Sequence, residues 1–568
     1  MQDQADEIFH IGYGVKSGAA ATAERVGFKA WNLMRMDRLG MPVPPAFVLG
    51  TGFCQDFYRR GGKAPDGLRD LVAAQIRELE RTTGLGFGSI RKPLSVSVRS
   101  GAAVSMPGMM ETILDVGLND ATVRGLLRLT GNPRLAWDSY RRLVQSYAEV
   151  VHHCPADQFS AKLDERLRQS GVTSPRELDF RALKGLTDDY LELYEECVGE
   201  PFPQNPLDQL ECAVKGIWQS WTGDKAIAYR KLNGLSDDLG TAVTVQRMVY
   251  GNAGGTSGAG VAFTRDPASG ERSLYLDFLF NAQGEDVVSG RAGAPDGQRL
   301  ATVLPGVKAE IVHIAAQLER EFRDMQEFEF TVEDGRFHIL QTRAGKRTSW
   351  AALRIATDQV DEGLLDPAAA LARLAGVDID RVGRMRVIPS PSARVLCRAI
   401  AASIGVAVGN IVFDPARAAK LAQDGRSVIL VRGSTATEDI AGIAAANGIL
   451  TATGGRTSHA AVVARQLDKV CLVGCDALVV DAKGHNCTIA GETFAEGEVI
   501  SLDGHSGEVL AGEVKVEFER PVEALAKLAQ WVGSPTSAPP ARSAQSASGG
   551  VGAAGPPLEL RVGEQTPL

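Results

Sequence analysis

Residues 454–465 read Gly-Gly-Arg-Thr-Ser-His-Ala-Ala-Val-Val-Ala-Arg, and no other stretch limits the fold so tightly. The glycine pair makes a turn, Thr457 and Ser458 are good helix N-caps, and the apolar residues behind His459 have helical spacing. The apolar run Val470-Cys471-Leu472-Val473 follows, and Val428-Ile429-Leu430-Val431 precedes. The pattern predicts an α/β unit. His459 falls in the first turn of the helix. Free N–H groups and positive partial charge there would stabilise a phosphate carried on the imidazole. The neighbouring hydroxyls could hydrogen-bond that phosphate. A capping histidine without chemistry is the alternative reading.

The chain has 568 residues, of which 62 are glycine, above the usual share of about 7%. The excess clusters at 101–108, 251–260 and 454–455, which points to functional loops rather than a fibrous repeat. The length predicts several domains. A formal net charge of -8 argues against a protein that mainly coats nucleic acid or anionic membrane. The acidic start MQDQADEIFH shows no signal peptide, and no run approaches the ~18 apolar residues of a membrane span. A cytoplasmic protein is expected. The eight cysteines form no Cys-x-x-Cys pair and are expected to be buried reduced thiols.

From Phe9 to Val116 the pattern mixes strands and helices, and from about Asp120 to Glu200 it is helical. Strands return from Thr241 to Thr342. Ala242–Gln246 and Val261–Thr264 read as a hairpin around the loop Gly251–Gly260, whose backbone could wrap phosphates at Gly254, Gly255 and Thr256. A flexible surface hairpin is as good a reading. Glu327 to Val332 and Phe337 to Gln341 read as a second hairpin. Glu327 and Glu329 share a face of one strand; Gln341 ends its partner, with Arg343 two positions on. Two carboxylates and a carboxamide oxygen suit Mg²⁺, and the arginine suits phosphate. A solvated strand edge with a salt bridge is the alternative.

Lys29 and Arg99 supply cations in the first segment. Arg99 ends a strand just before a glycine-containing stretch, so it reads either as a surface charge or as part of a phosphate clamp. Ser349 to Leu374 reads as helix and Ala375 to Pro391 as a connection. The second α/β unit runs from about Ala393 to Ala511, and Val522 to Val532 as a short helix. Beyond Gly533, Gly, Ser, Pro and Ala dominate, so a disordered tail is expected. His10, His152, His153, His313, His338, His485 and His505 lack any setting like that of His459 and read as structural or surface residues.

The stretches VSVRSGAAVSMPGMMETILDVGLND (96–120), GTAVTVQRMVYGNAGGTSGAGVAFTRDPASGE (240–271), NAQGEDVVSG (281–290), FEFTVEDGRFHILQTRAGKRT (328–348) and GILTATGGRTSHAAVVARQL (448–467) resemble pyruvate phosphate dikinase and, more distantly, phosphoenolpyruvate synthase. The likeness covers about residues 10–525. It implies a multidomain α/β protein: an ATP-grasp nucleotide-binding domain over 1–345 with a helical insertion at about 118–200, and a helical linker over 346–391. A swivelling phosphohistidine domain over 392–515, a short helix over 516–532 and the tail over 533–568 would follow. Carried over by the resemblance, Lys29 and Arg99 are the nucleotide-phosphate cations. Glu329, Gln341, Arg343 and, with a longer arm than the family's usual Asp, Glu327 form the metal and phosphate set. The strand containing Gln246 lies beside adenine, and His459 is the phosphocarrier with Thr457 and Ser458 at its side. The segment Arg432 to Asp439 departs from the family's R-x-E-T-S-P-E-D.

The resemblance further implies ATP and Mg²⁺, with phosphate or water as second acceptor. ATP·Mg²⁺ would bind between the Lys29/Arg99 lobe and the Glu329/Gln341 hairpin, with hinge elements around Gly345 and Pro389–Pro391. Family members continue into an α/β barrel that binds pyruvate and phosphoenolpyruvate, for which these 568 residues leave no room. Pyruvate is therefore expected on a separate barrel subunit, and a homodimer is expected. Transfer from the phosphohistidine to a small alcohol or phenol, and a phosphocarrier or regulatory protein without turnover, are the competing readings.

Overall fold

Helix starts in this chain are set by a repeated two-residue device. Asn132-Pro133, Asn205-Pro206, Asp366-Pro367 and Asp414-Pro415 each place an Asx side chain at the N-cap and a proline in the first turn. The Asx oxygen accepts one of the orphan N–H groups, and proline's missing N–H is no loss there. The computed structural model describes residues 6–14, 21–104, 106, 111–288, 296–391, 393–436 and 439–532. The expected tail over 533–568 lies outside the described residues, as do Thr437 and Glu438 and parts of the 101–108 and 281–290 stretches. The described residues fall into two units, one up to Ser257 with Thr331–Thr342, the other Gly258–Phe330 with the residues from Arg343 onward.

The first unit is built on a five-stranded antiparallel sheet of order Ile8–Ile11, Ala46–Leu49, Ala242–Arg247, Val96–Gly101, Thr112–Val116. Its inner strands are buried along nearly their whole length, polar Ser97, Ser100, Thr244 and Gln246 included. A helical layer spans Thr122–Thr130 to Asp224–Leu232. It extends beyond the expected end at Glu200, after a break at the prolines 201–206. Trp218, Trp221 and Tyr140 pack its core.

Two helices of this layer correct an expectation. Pro133–His152 and Phe180–Val198 lie against each other, so Cys154 and Cys197, just past one end and near the other, have Cα atoms 6.3 Å apart and are joined as a disulfide. That spacing is within the reach of a bridge. The reduced state holds for Cys54, Cys212, Cys397, Cys471, Cys475 and Cys487.

The second unit carries strands Gly258–Phe263 and Tyr275–Phe280 of a four-stranded sheet of order Arg336–Ala344, Gln326–Glu333, Gly258–Phe263, Tyr275–Phe280, of which residues 331–342 are counted with the first unit. It also carries an eight-stranded sheet whose central strands Val406–Val412, Val428–Arg432, Gly448–Thr451 and Val470–Val473 run parallel. Helices Pro415–Gln423, Ile440–Ala445 and His459–Gln466 cover one face of these parallel strands. The Ala242–Arg247 and Gly258–Phe263 strands belong to different sheets. The expected hairpin around 251–260 is thus corrected to a connection between sheets; strand periodicity alone does not name a strand's partner.

Strand Val516–Glu519 pairs antiparallel with Arg384–Val387 before helix Val522–Val532 begins, so the segment expected as a helix over 516–532 opens as a strand. Leu528 of that helix joins Leu353, Leu374 and Val382 in one small core. Helix Ser349–Asp361 ends at Glu362, and Pro367–Arg373 is a separate helix. Among the described residues no helix is long and apolar enough to cross a membrane.

Two charged clusters test this account. Arg265 is fully buried, and its guanidinium joins Glu319 to Glu362, with Gln359 also donating to Glu319 at 2.8 Å. Arg265→Leu strands Glu319 without its counter-charge and should cost about 3–5 kcal/mol of the second unit's stability in denaturant unfolding. His338 is held down to about 4 by burial, with Arg247 and Arg336 adding to the effect. The folded state therefore keeps it neutral, while the unfolded chain protonates it below about 6.5. Its contribution is present above pH 6.5 and is lost as pH falls through about 4. The stability slope over that window should flatten in His338→Phe, measured by unfolding midpoints against pH.

Candidate active site

The cations of the first unit are set by one close approach. Helix Ala23–Arg38 is broken at Gly27, where φ is 77° and ψ 153°. A Cβ there would stand 2.2 Å from the carbonyl oxygen of Gly101. Only glycine permits both that backbone and that contact. The helix resumes at Phe28, whose N–H donates to the Ala102 oxygen at 2.8 Å. Lys29 therefore falls in the first turn of the resumed helix, near the point where the strand carrying Arg99 ends. Arg99 Nη1 donates to Gln246 Oε1 at 3.5 Å, and Gln246 Nε2 to the Pro44 oxygen at 3.0 Å. Gln246 is thus a buried anchor for Arg99. The loop Gly251 to Ser257 leaves Gly255 and Thr256 exposed, with open space around the Cα atoms of Gly254 and Gly255.

In the second unit, Phe328 and Phe330 bury one face of the strand Gln326–Glu333, and Phe330 stacks on Phe278. Alternation turns Glu327 and Glu329 to the other face. Glu327 is buried and paired with Arg343 Nη2 at 2.6 Å, while Glu329 is half-buried. Burial opposes the Arg343 charge, but Glu327 and more weakly Glu329 outweigh it and raise its pKa above the ordinary value. Arg343 and Gln341 both lie on the strand Arg336–Ala344, and both are half-buried. Among the described residues no group of three or more His, Cys, Asp and Glu converges as a metal cage. The donors are hard oxygens, with one carboxylate already neutralised by arginine. They fit an ion such as Mg²⁺, which takes one or two carboxylates and shares its other positions with phosphates and water.

The turn Gly454 to Ser458 is held from below by Arg465. This side chain is fully buried, and its Nη1 donates to the Arg456 oxygen at 2.8 Å and to the Ala402 oxygen at 3.1 Å. Gly474, with φ of 60°, lies so close that a Cβ would stand 2.7 Å from the Gly454 oxygen. Ser458 is the N-cap of helix His459–Gln466, but its hydroxyl makes no capping bond. Ser458 Oγ is buried and has no hydrogen-bond partner within the protein. That hydroxyl stands at the residue before the half-buried His459, which opens the helix where its first N–H groups lack intrahelical partners. The Arg456 guanidinium lies 4.5 Å from the Tyr275 ring centre, and the Thr457 hydroxyl 3.5 Å from Asp277 Oδ2. Asp277, Arg465, Gly27 and Gly474 escaped the sequence reading. An acid inside the apolar strand Tyr-Leu-Asp-Phe-Leu-Phe was the available signal for the first.

Comparison with known proteins gives these clusters a class. Residues 60–303, which include Arg99, match a family described as pyruvate phosphate dikinase, AMP/ATP-binding domain. Residues 425–507, which include His459, match PEP-utilising enzyme, mobile domain. The chain thus joins a nucleotide-binding domain to the mobile domain of PEP-utilising enzymes. It is related in particular to the pyruvate phosphate dikinases. It is 43% identical over 508 residues to pyruvate, phosphate dikinase of Clostridium symbiosum, covering 89% of this chain and 58% of that protein. To the Rhizobium meliloti protein of that name it is 42% identical over 536 residues, 92% of this chain and 60% of the relative. The chain therefore spans well under two thirds of these relatives' length.

Gly27→Ala places a methyl group against the Gly101 carbonyl and forces an L residue into a left-handed backbone. Strain and displacement together are of order 1–3 kcal/mol or more. ATP affinity measured by calorimetry should drop together with the melting temperature, whereas Gly255→Ala, with open space around it, should leave the melting temperature unchanged.

Proposed function

We propose that the chain carries out the nucleotide half of a pyruvate phosphate dikinase reaction. Lys29, Arg99 and Arg343 neutralise the phosphates of ATP. Gln246 keeps Arg99 in place, and the Gly254-Gly255-Thr256 backbone covers the polyphosphate. Glu329 and Gln341, with Glu327 behind them, would hold Mg²⁺, which when bound spreads the charge of the β- and γ-phosphates. Neutral His459 attacks the β-phosphorus and AMP leaves. Inorganic phosphate then takes the terminal phosphoryl as pyrophosphate, in keeping with the names of the relatives, and His459 keeps one phosphoryl group. Catalysis is mostly positioning and charge neutralisation.

The observation that carries this reading is the His459 setting: a helix start, a buried uncommitted Ser458 hydroxyl and a turn pinned by Arg465. A capping histidine would need none of these. The carrier then moves to a second site, which we place outside residues 6–532, with pyruvate as the acceptor. Strands Arg384–Val387 and Val516–Glu519 bring the two ends of the 388–515 segment side by side. The short stretches 388–391 and 512–515 are therefore the hinge in this reading, since a paired entry and exit lets the segment turn as one body. Gly345 is packed against Met325 and donates to its oxygen at 3.1 Å, so it is left out of the hinge.

Incubation with ATP labelled at the β- or γ-phosphorus tests the proposal. Label from the β position should stay on His459 with release of AMP, and His459→Asn should take none. ADP as sole product, or undiminished labelling of His459→Asn, would sink the reading.

A further inference from the structure

Strand Tyr275–Phe280 is apolar except at one position, Asp277, which is 4% exposed. Its Oδ1 is buried without a hydrogen-bond partner. A lone acid in such a place costs stability unless something draws on its charge. What lies against it is the turn that leads into His459. The Thr457 hydroxyl stands 3.5 Å from Oδ2, the outer limit of a hydrogen bond. A Cβ on Gly455 would stand 3.5 Å from the same oxygen, so the turn is packed directly on the carboxyl. Arg456 covers the neighbouring Tyr275 ring. Burial raises the Asp277 pKa, while Arg456, Arg465, the Arg456 backbone and the Thr457 hydroxyl pull it down.

Those groups belong to one short turn and to the helix behind it. Arg465 fixes the Arg456 carbonyl, Arg456 seats on Tyr275, and Thr457 faces Asp277. His459 follows two residues later on the same backbone. The turn has no comparable acid on its own helix, where Arg465 is the only ionisable residue behind His459. The acid is supplied by a strand more than 150 residues away in sequence.

We infer that Asp277 is a positioning residue for His459: its carboxylate accepts from Thr457 and holds the 454–459 turn seated against Tyr275–Phe280, which fixes the imidazole while it is phosphorylated. Asp277 acts through Thr457, so its loss costs rate and leaves nucleotide affinity alone. The inference rests on the phosphohistidine reading for its kinetic consequence. The seating of the turn stands on geometry alone and is measured separately.

Two readouts on the full chain test it. Asp277→Asn, of the same shape, should lower the rate of His459 labelling from ATP by about tenfold to a hundredfold, the scale of a misplaced reacting group. ATP affinity by calorimetry should change less than twofold. Thr457→Val should lose the same factor and Thr457→Ser should keep the wild-type rate. Asp277→Asn with Thr457→Val should be no slower than Thr457→Val alone, because both changes act on one contact, which the first weakens by removing the charge and the second abolishes. Without nucleotide, amide hydrogen exchange over 454–459 should quicken by a similar factor in Asp277→Asn and in Thr457→Val, while the core strand Val428–Arg432 is unchanged.

Additive losses in the double variant, or unchanged exchange over 454–459, would overturn the inference. Exchange that responds as expected in a chain that never labels His459 would retain the seating and overturn the proposed function instead.

Discussion

A guanidinium with no exposure to water carries the turn that leads into His459. Arg465 is buried one helical turn and a half behind His459. Two backbone oxygens, from Arg456 and from Ala402 at the edge strand Ile400–Ser403, take its Nη1. A buried arginine is expensive unless its protons are satisfied. Here main chain satisfies Nη1, while Nε and Nη2 have no hydrogen-bond partner within the protein and the guanidinium draws Asp277 toward its ionised form. That leaves positive field directed at the turn. The same field favours an anion on His459 and favours the ionised form of Asp277. One residue thus serves the helix start, the turn and the seat on the Tyr275–Phe280 strand.

Lys29 and Arg99 depend on a different kind of constraint, an absence of volume. Helix Ala23–Arg38 and strand Val96–Gly101 meet glycine to glycine, at a distance where a methyl group has no space. Lys29 and Arg99 then issue from two elements fixed to each other by backbone contact. Side-chain packing at the crossing would have pushed them apart. Arg99 is further steadied by Gln246, which itself is tied to Pro44. Much of the glycine excess has this meaning: the residue is used where backbone must approach backbone, at 27/101 and again at 454/474.

The parts visible in the sequence were those whose signal is local. The turn before His459, the Glu327/Glu329 alternation and the hairpin tip at Asp334-Gly335 follow from spacing alone, because period 2 and period 3.6 report which side chains share a face. The strand before Gly251 was visible as a strand, but its partner was not, since pairing is decided by contacts far away in sequence. The Cys154–Cys197 bridge hid for the same reason: helix packing brings together residues 43 apart. Lys29 and Gln246 rested on the resemblance, and Gly254–Thr256 had only the weak local signal of a glycine-rich loop that a surface hairpin would share. Asp277 had one, an acid in an apolar strand, but its meaning depends on a turn that only the fold delivers.

The seat of the His459 turn is polar and small, and that fits a carrier that has to leave. One long hydrogen bond from Thr457 is worth about 1 kcal/mol or less, and the Arg456–Tyr275 contact about 0.5–2 kcal/mol. Ser349 adds a bond to Asp468 at 2.7 Å. Together these hold the turn and the helix that follows it by a few kcal/mol, an amount that a change of charge on the imidazole can offset. An apolar face of equal area would hold with comparable strength but would not respond to charge, since hydrophobic burial has no sign. A carrier whose release must follow its own phosphorylation is better served by contacts that read charge. Under the proposed function, a buried carboxylate beside the turn would do so directly: it would attract the unloaded loop through Arg456 and repel an imidazole that has gained a phosphoryl group.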